Sequence, residues 1–415
     1  MAAPKMNEWL QKLAGFSSGS PGVTRLLYDG AWCDAHAWLS DRARSLGLVA
    51  TPDALGNLLL HPPSARPGDL ARPVLLIGSH LDTVANDGSI HGASGVLIGL
   101  LVAAELRASE ALPVVAFASC GGEENRFGVE SPGARGLLGL VEDQELDFAC
   151  DSSGTSWRRA LEQARARGCA TPPGPSSRPC APLFRPALVI ETHVEQGPVL
   201  DTELFDLGLV ESVAGCRRLS VKLTGETRRA GTTPMKLRRD ALAAASAMAL
   251  VAETLARQAG PEARAGAGYA IAKPGTMHEV PGACELGIEV RHGDHARLAE
   301  LADAIGRRCR TIACERGIEI VLEESAGADP VAFPKKLVDA AEEQAKRLGI
   351  QALRMTSGAS HDAAVFARNG APALLLLSPS RRGVSHSPEE YTSAAQLEAA
   401  RRFVSEFARW LTSER

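Results

Sequence analysis

The stretch from Pro73 to Ser119 constrains the architecture of this chain more than any other. The apolar run Pro73 to Ile77 reads as a buried strand, with Val74 to Gly78 as its body. Ser94 to Arg107 reads as an apolar helix, and Val114 to Ser119 as a second apolar strand. Short apolar strands joined by helices predict a mixed or parallel sheet covered on both faces. Between the first strand and the helix lies Gly78-Ser79-His80-Leu81-Asp82-Thr83, running on to His91-Gly92-Ala93. Residues two apart at a strand end point the same way. That suits His80 as a metal-binding imidazole with Asp82 holding the ring from behind. At the next turn, where a second carboxylate ligand is expected, the chain has His91.

Length and composition narrow the rest. A chain of 415 residues exceeds one ordinary core and predicts two domains. Apolar residues at 45% and charged ones at 23% describe a soluble globular balance. The net charge of −4 lacks the basic footprint of a nucleic-acid binder. The nine cysteines form no C-x-x-C pair, which predicts free thiols in a reducing cytoplasm. Met1 to Leu13 has no apolar region of signal-peptide type. Val96 to Leu106 is interrupted by Glu105 and falls short of the ~18 residues of a membrane span.

Along the chain, helical rhythm is expected at Ala31 to Leu46, a turn at Asp53 to Asn57, and a Pro-rich surface loop over residues 170 to 186, followed by the strand Ala187 to Glu191. The rhythm changes after about Leu209. Leu219, Val221 and Leu223 alternate with polar residues, as in a strand with one wet face. A helix from about Met235 to Arg257, strands at Gly268 to Ala272 and Glu285 to Arg291, a helix from His295 to Cys314 and a strand at Ile318 to Leu322 complete a β-α-β-β-α-β order. The chain then resumes with Lys335 to Leu348, Ala373 to Leu377 and Ser393 to Thr412. The expected division is residues 1–211 and 327–415 for a catalytic domain, with 212–326 inserted.

Four further clusters fall at expected strand ends or loops: Glu123-Glu124, His193 in Glu191 to Pro198, His361 in Ser357 to Ala363, and His386 in Val384 to Glu389. Loops after strand ends converge on one edge of an open α/β sheet. Imidazoles and carboxylates without a Cys ligand suit zinc, manganese, cobalt or nickel.

These features, taken with Gly22 to Leu26, Ser79 to Val84, Arg126-Phe127-Gly128, Ala230 to Met235, Arg238-Arg239-Asp240 and Ser385 to Glu389, give a chain that resembles a known family. It is similar to the hydantoinase/carbamoylase branch of the aminoacylase–carboxypeptidase metallohydrolases, which cleave N-carbamoyl-L-amino acids, allantoate and ureidoglycolate. The resemblance implies a zinc-exopeptidase-like α/β fold with an inserted ferredoxin-like lid and dimerisation domain. It implies that His80 and His193 hold one metal, Glu124 and His386 a second, with position 91 between them. It implies Glu123 as general base, Asp82 as the residue orienting His80, and Arg291 as the clamp for a substrate carboxylate. His361 would lie in the substrate pocket. The implied protein is a cytoplasmic homodimer acting on a small carboxylated substrate, with no nucleic-acid or membrane partner.

The departures fall on functional positions. The bridging Asp is His91, and a neutral imidazole offers one lone pair where a carboxylate offers two oxygens. The expectation is therefore one or two divalent ions, at reduced occupancy or absent. The lid positions that meet substrate carry Arg229 and His278. Cys120-Gly121-Gly122 looks inserted before the Glu pair, so a register set from Arg126 makes Glu123 the ligand instead. Three readings follow: a metal-dependent amidohydrolase, a diverged enzyme catalysing cyclisation, amide formation or acid–base chemistry, and a non-catalytic binding homologue.

Overall fold

The computed structural model describes residues 3–122, 125–172 and 179–413. The chain divides into two compact units. One comprises Met1–Glu211, Phe333–Met355 and Ser360–Arg415; the other comprises Ser212–Ala332 with Thr356–Ala359.

The first unit is built on a mixed sheet. At its centre lie four mutually parallel strands in the order Val114–Ser119, Val74–His80, Pro186–Val194 and Ala373–Ser378. Antiparallel strands flank them: Leu58–His61 and Val49–Pro52 on one side, Leu207–Val213 on the other. Val74–His80, Val114–Ser119 and Ala373–Ser378 are buried at every position, which is why they read as unbroken apolar runs rather than alternating ones. The helix Ala93–Glu105 is buried almost throughout. It lies along the first two of these strands and is covered in turn by Ala3–Ala14 and Ala394–Ser413. Parallel strands share one C-terminal edge. His80 ends its strand opposite Ser119, and His193 pairs with Leu377, so both imidazoles reach that edge.

The second unit has the order β-α-β-β-α-β. Its antiparallel sheet runs Glu319–Ala326, Gly215–Thr224, Ala283–His292, Arg264–Lys273, with helices Ala241–Ala259 and His295–Glu315 packed on it. Leu219, Val221 and Leu223 point into this core beside Leu286, Ile288, Met248 and Ile305, as their alternation predicts. Tyr269, Ile271 and Val321 are exposed. A separate two-stranded ribbon pairs Arg228–Arg229 with Glu279–Val280.

The helix expected from Met235 begins later. Met235–Leu237 is a single 3-10 turn, and the α-helix is Ala241–Ala259. Asp240 sets this start, because its carboxylate accepts the Ala243 N–H at 2.9 Å while its own backbone stays extended. Trp157–Ala166 and Ala352–Ser357 carry no pattern strong enough to have been expected. Among the described residues, no helix is long and apolar enough to cross a membrane.

Candidate metal site

His80 is fixed from every side. Its Nδ1 lies 3.1 Å from Asp82 Oδ1 and 3.0 Å from the Asp82 carbonyl, and its Nε2 faces His193 Nε2 at 3.2 Å. The same Asp82 oxygen accepts the Gly122 N–H at 2.9 Å. The ring fits between two glycines: a Cβ on Gly92 would stand 2.7 Å from it, and one on Gly122 would stand equally close. Gly92 also has φ +64°, a conformation that side chains disfavour. Beneath the loop, the buried Arg25 donates from Nε to the Leu81 carbonyl at 2.8 Å and from Nη1 to the Leu13 carbonyl at 2.9 Å. The Gly22 to Leu26 motif thus braces the segment that carries Asp82.

Four more imidazoles crowd this edge. His193 directs Nδ1 to the Val194 carbonyl at 3.0 Å. Its ring centroid is 4.6 Å from that of His91 and 4.8 Å from that of His361. His91 directs Nδ1 to Glu390 Oε2 at 3.0 Å, and its ring lies 4.8 Å from His386. His386 Nε2 is also 3.2 Å from Gln196 Nε2. Burial, and then the neighbouring imidazoles, hold His91, His193 and His361 well below the ordinary histidine range, so these rings are neutral near pH 7. Beside them Asp87 and Glu390 are buried carboxyls. Burial first and the Glu390 charge second push Asp87 up to about 6, and burial pushes Glu390 up to about 7.

Among the described residues, two groups bring ligand atoms within 4.8 Å of one another: His80, His91 and His193, and Asp87, His91 and Glu390. Nitrogen donors with nearby carboxylates fit a divalent transition ion. His386 belongs to neither group, although its ring lies against His91. Glu123 and Glu124 lie outside the described residues.

Other acidic residues near the site are structural. Glu191 accepts the Ser79 hydroxyl at 3.1 Å and the Ala363 N–H at 2.7 Å, which ties the helix Asp362–Arg368 to the sheet just after His361. Glu195 accepts the N–H groups of Val199 and Leu200. Asp53 accepts from Leu55, Asn57 and the Asn57 amide, and Asn57 in turn accepts the Cys120 N–H at 2.8 Å. The Asp53 to Asn57 turn therefore props the loop that follows Ser119.

In the second unit, Arg229 and His278 meet on the ribbon, where Arg229 pairs with Glu279 and the His278 carbonyl accepts the Ala230 N–H at 2.8 Å. Both are exposed. Arg291 is half-buried, with Nε on Glu289 at 2.7 Å and Nη1 on the Gly358 carbonyl at 2.8 Å.

Sequence reasoning missed Asp87 and Glu390. Asp87 carried no signal beyond lying in the His80 loop. Glu390 follows His386 closely, but nothing in the sequence joins it to His91, 299 residues away.

Comparison with known proteins agrees with this architecture. The profile of Peptidase family M20/M25/M40 matches residues 76–410. The allantoate amidohydrolase of Bacillus subtilis is 35% identical over 94% of this chain and 92% of its own length. The N-carbamoyl-L-amino-acid amidohydrolase of Paenarthrobacter aurescens is 32% identical over 95% and 94%. The crystal structure of a putative amidohydrolase/peptidase from Burkholderia cenocepacia superposes with a TM-score of 0.87 at 28% identity, covering 98% and 97% of the two chains. That of AtUAH in complex with glyoxylate superposes with a TM-score of 0.71 at 26% identity, covering 99% and 98%. With its parallel strand ends carrying a buried histidine cluster, the chain belongs to Peptidase family M20/M25/M40, among the hydantoinase/carbamoylase amidohydrolases.

Proposed function

We propose that this protein is a metal-dependent hydrolase that cleaves a C–N bond in a small carboxylated N-carbamoyl, ureido or N-acyl amino acid derivative. The observation that carries this reading is the meeting of His80, His91 and His193 at the edge where the parallel strands end. The names of the allantoate and N-carbamoyl amino acid amidohydrolases support the substrate class, and the glyoxylate complex of AtUAH supports a carboxylate on it. A divalent ion at this place supplies Lewis acidity toward a carbonyl oxygen.

The chain's own residues divide the remaining work. His80 and His193 bind the ion, and Asp82 keeps the His80 proton on Nδ1. Glu123 moves protons between water and the leaving nitrogen, with Glu124 and His386 as further ligands. Arg291 receives the substrate carboxylate, its planar fork already aligned by Glu289 and Gly358. Arg229 and His278 contact the polar end of the substrate, and His361 lines the pocket beside His193. Residues 212–326 act as lid and dimerisation domain between catalytic segments 1–211 and 327–415, in a cytoplasmic homodimer.

The test is turnover of allantoate, ureidoglycolate and a panel of N-carbamoyl- and N-acyl-L-amino acids by the full chain, before and after chelation. Hydrolysis that chelation abolishes and zinc, manganese, cobalt or nickel restores is the expected result. Chelator-indifferent hydrolysis, or no turnover by metal-loaded protein, overturns the reading. Formation of a ring-closed or amide product instead assigns the diverged, non-hydrolytic chemistry that His91 raised.

A further inference from the structure

Two buried thiols from distant parts of the first unit's sequence share one contact. Cys33 lies near the start of the helix Gly30–Ser45, and Cys169 follows the helix Trp157–Ala166. Both are free and buried. Gly168, at φ +77°, turns the chain out of the second helix, and the Cys169 N–H returns to the Ala164 carbonyl at 3.0 Å. The Cys169 sulfur thereby comes to lie 3.9 Å from the Cys33 carbonyl. The Cys33 thiol donates to that sulfur. This hydrogen bond first, and the Arg167 guanidinium after it, hold Cys169 below the ordinary thiol range against the cost of burial. The same hydrogen bond, with burial, holds Cys33 above it. The pair thus divides into a sulfur ready to attack and a neighbour that keeps its proton. Arg167 also reaches across to Asp34, Nη2 to Oδ1 at 2.7 Å, in an exposed ion pair. Those two residues flank the cysteines in sequence, so solvent comes within one ion pair of the thiols.

Both cysteines adjoin residues that hold the loop after Ser119. Trp32, next to Cys33, donates from Nε1 to the Cys120 carbonyl at 3.0 Å. Thr171, just beyond Cys169, donates its N–H to the Asp53 carbonyl at 2.9 Å and so holds the turn whose Asn57 accepts the Cys120 N–H. The two sides meet at Gly56, where a Cβ would stand 2.9 Å from the Trp32 ring and 3.2 Å from the Cys169 carbonyl. We propose that Cys33 and Cys169 are a redox-active dithiol, closed to a disulfide by hydroperoxides and reopened by thiol reductants, and that closure tightens the Cys120 loop. The Cys169 thiolate attacks one oxygen of hydrogen peroxide, the O–O bond breaks, and a sulfenic acid forms. The departing hydroxide takes up the proton that Cys169 released. Cys33 then attacks the sulfenic sulfur, its proton goes to the leaving hydroxide, and an S–S bond forms. The two thiols lose two electrons, and the peroxide becomes two waters. The bond draws the sulfurs to about 2.05 Å, closer than any hydrogen bond allows. Trp32 and the Cys169 carbonyl are carried with them, and both bear on Gly56. This chemistry goes beyond the proposed hydrolysis and does not depend on it.

The experiment exposes the full, reduced chain to hydrogen peroxide, then counts thiols after denaturation and maps linked peptides. Loss of two of the nine thiols, a fall in mass of two hydrogens and a peptide joining Cys33 to Cys169 are expected. Dithiothreitol should restore all nine. Nine thiols still intact after peroxide, or a bond between any other pair, overturns the dithiol; Cys150 and Cys314 are the exposed thiols that could form one between molecules. In variants, Cys169→Ser should slow thiol loss about tenfold or more, whereas Cys33→Ser should leave Cys169 to stop as a sulfenic acid that dimedone labels. The reverse pattern, with Cys33→Ser inert and Cys169→Ser reactive, contradicts the assigned roles. Hydrogen exchange at residues 53–57 and 120–122 is compared in the reduced and oxidised forms. Exchange slower by about threefold or more on oxidation is expected, and unchanged or faster exchange overturns the effect on the loop. Should either Ser variant fail to fold, the linked peptide from the unaltered protein still decides. None of these readouts involves substrate or metal, so a protein that hydrolyses nothing refutes only the proposed activity.

Discussion

The two units treat their polar side chains in opposite ways. In the first, His80, His91, His193, Asp82 and Glu390 are buried, and each has a defined partner at hydrogen-bond distance. In the second, Arg229 and His278 lie exposed on a two-stranded ribbon, and Arg291 is half-buried between Glu289 and the Gly358 carbonyl. Burial makes a misplaced or unpaired polar group costly, so the first unit is organised before any ligand arrives. In the second, Arg229 and His278 are groups that water can solvate. Under the proposed function, the chemistry falls to the buried cluster and recognition to the exposed groups.

The strongest way to break this contrast is His193→Ala. It should abolish both metal retention and hydrolysis while circular dichroism stays native; retained metal and turnover would put the chemistry elsewhere. Next is the pH response of Asp53, which burial raises from 3.8 to about 6 against the hydrogen bonds from Asn57 and Leu55. The folded state holds this proton to higher pH than the unfolded chain does. Its stabilising contribution is therefore complete below about pH 4 and is lost as pH rises to about 6. That is a fall of up to about 3 kcal/mol, at about 1.4 kcal/mol per pKa unit. Asp53→Asn should flatten that part of the stability profile; an unchanged slope assigns it to other carboxyls.

A sharper comparison sets two glycines side by side. Gly92→Ala puts a methyl against the His80 ring at a positive φ and should cost about 2 kcal/mol or more in denaturant unfolding. Gly231→Ala, on the second unit's surface with no heavy atom within 4 Å, should leave the midpoint where it was. Equal effects would erase the contrast between the units. Smallest in structural terms is Arg291→Ala, which should raise KM for carboxylated substrates about tenfold or more, with little change in kcat or in the melting temperature. A fall in kcat at constant KM would instead place Arg291 in transition-state stabilisation.

Much of the first unit was legible in the sequence, for a physical reason. Strands buried on both faces must be apolar throughout, so Val74 to Gly78 and Val114 to Ser119 announced themselves. The two-residue spacing of His80 and Asp82 at a strand end points to their pairing, although the strand itself stops at His80. The alternation of Leu219, Val221 and Leu223 likewise exposed the one-sided sheet of the second unit. The helix start at Ala241 was misplaced because periodicity continues back through Met235, while the competing signal, a capping carboxylate at Asp240, is local and easily overlooked. His91 was the harder case. Read as a substitution at a bridging position, it suggested a site in decline.

What the sequence by itself determined is the fold family, the strand ends that carry imidazoles, and the imidazole at position 91 where a carboxylate is expected. What only the tertiary structure decided is what that imidazole meets. Glu390 and Asp87 reach His91 through the packing of distant segments, and Gly92 and Gly122 open the slot in which the His80 ring sits. Hydrogen-bond partners then fix how each ring is turned. For His80 and His193 those partners are near neighbours in the chain, but for His91 the contact of 3.0 Å joins residues 299 positions apart, and no local pattern in a chain encodes such a distance.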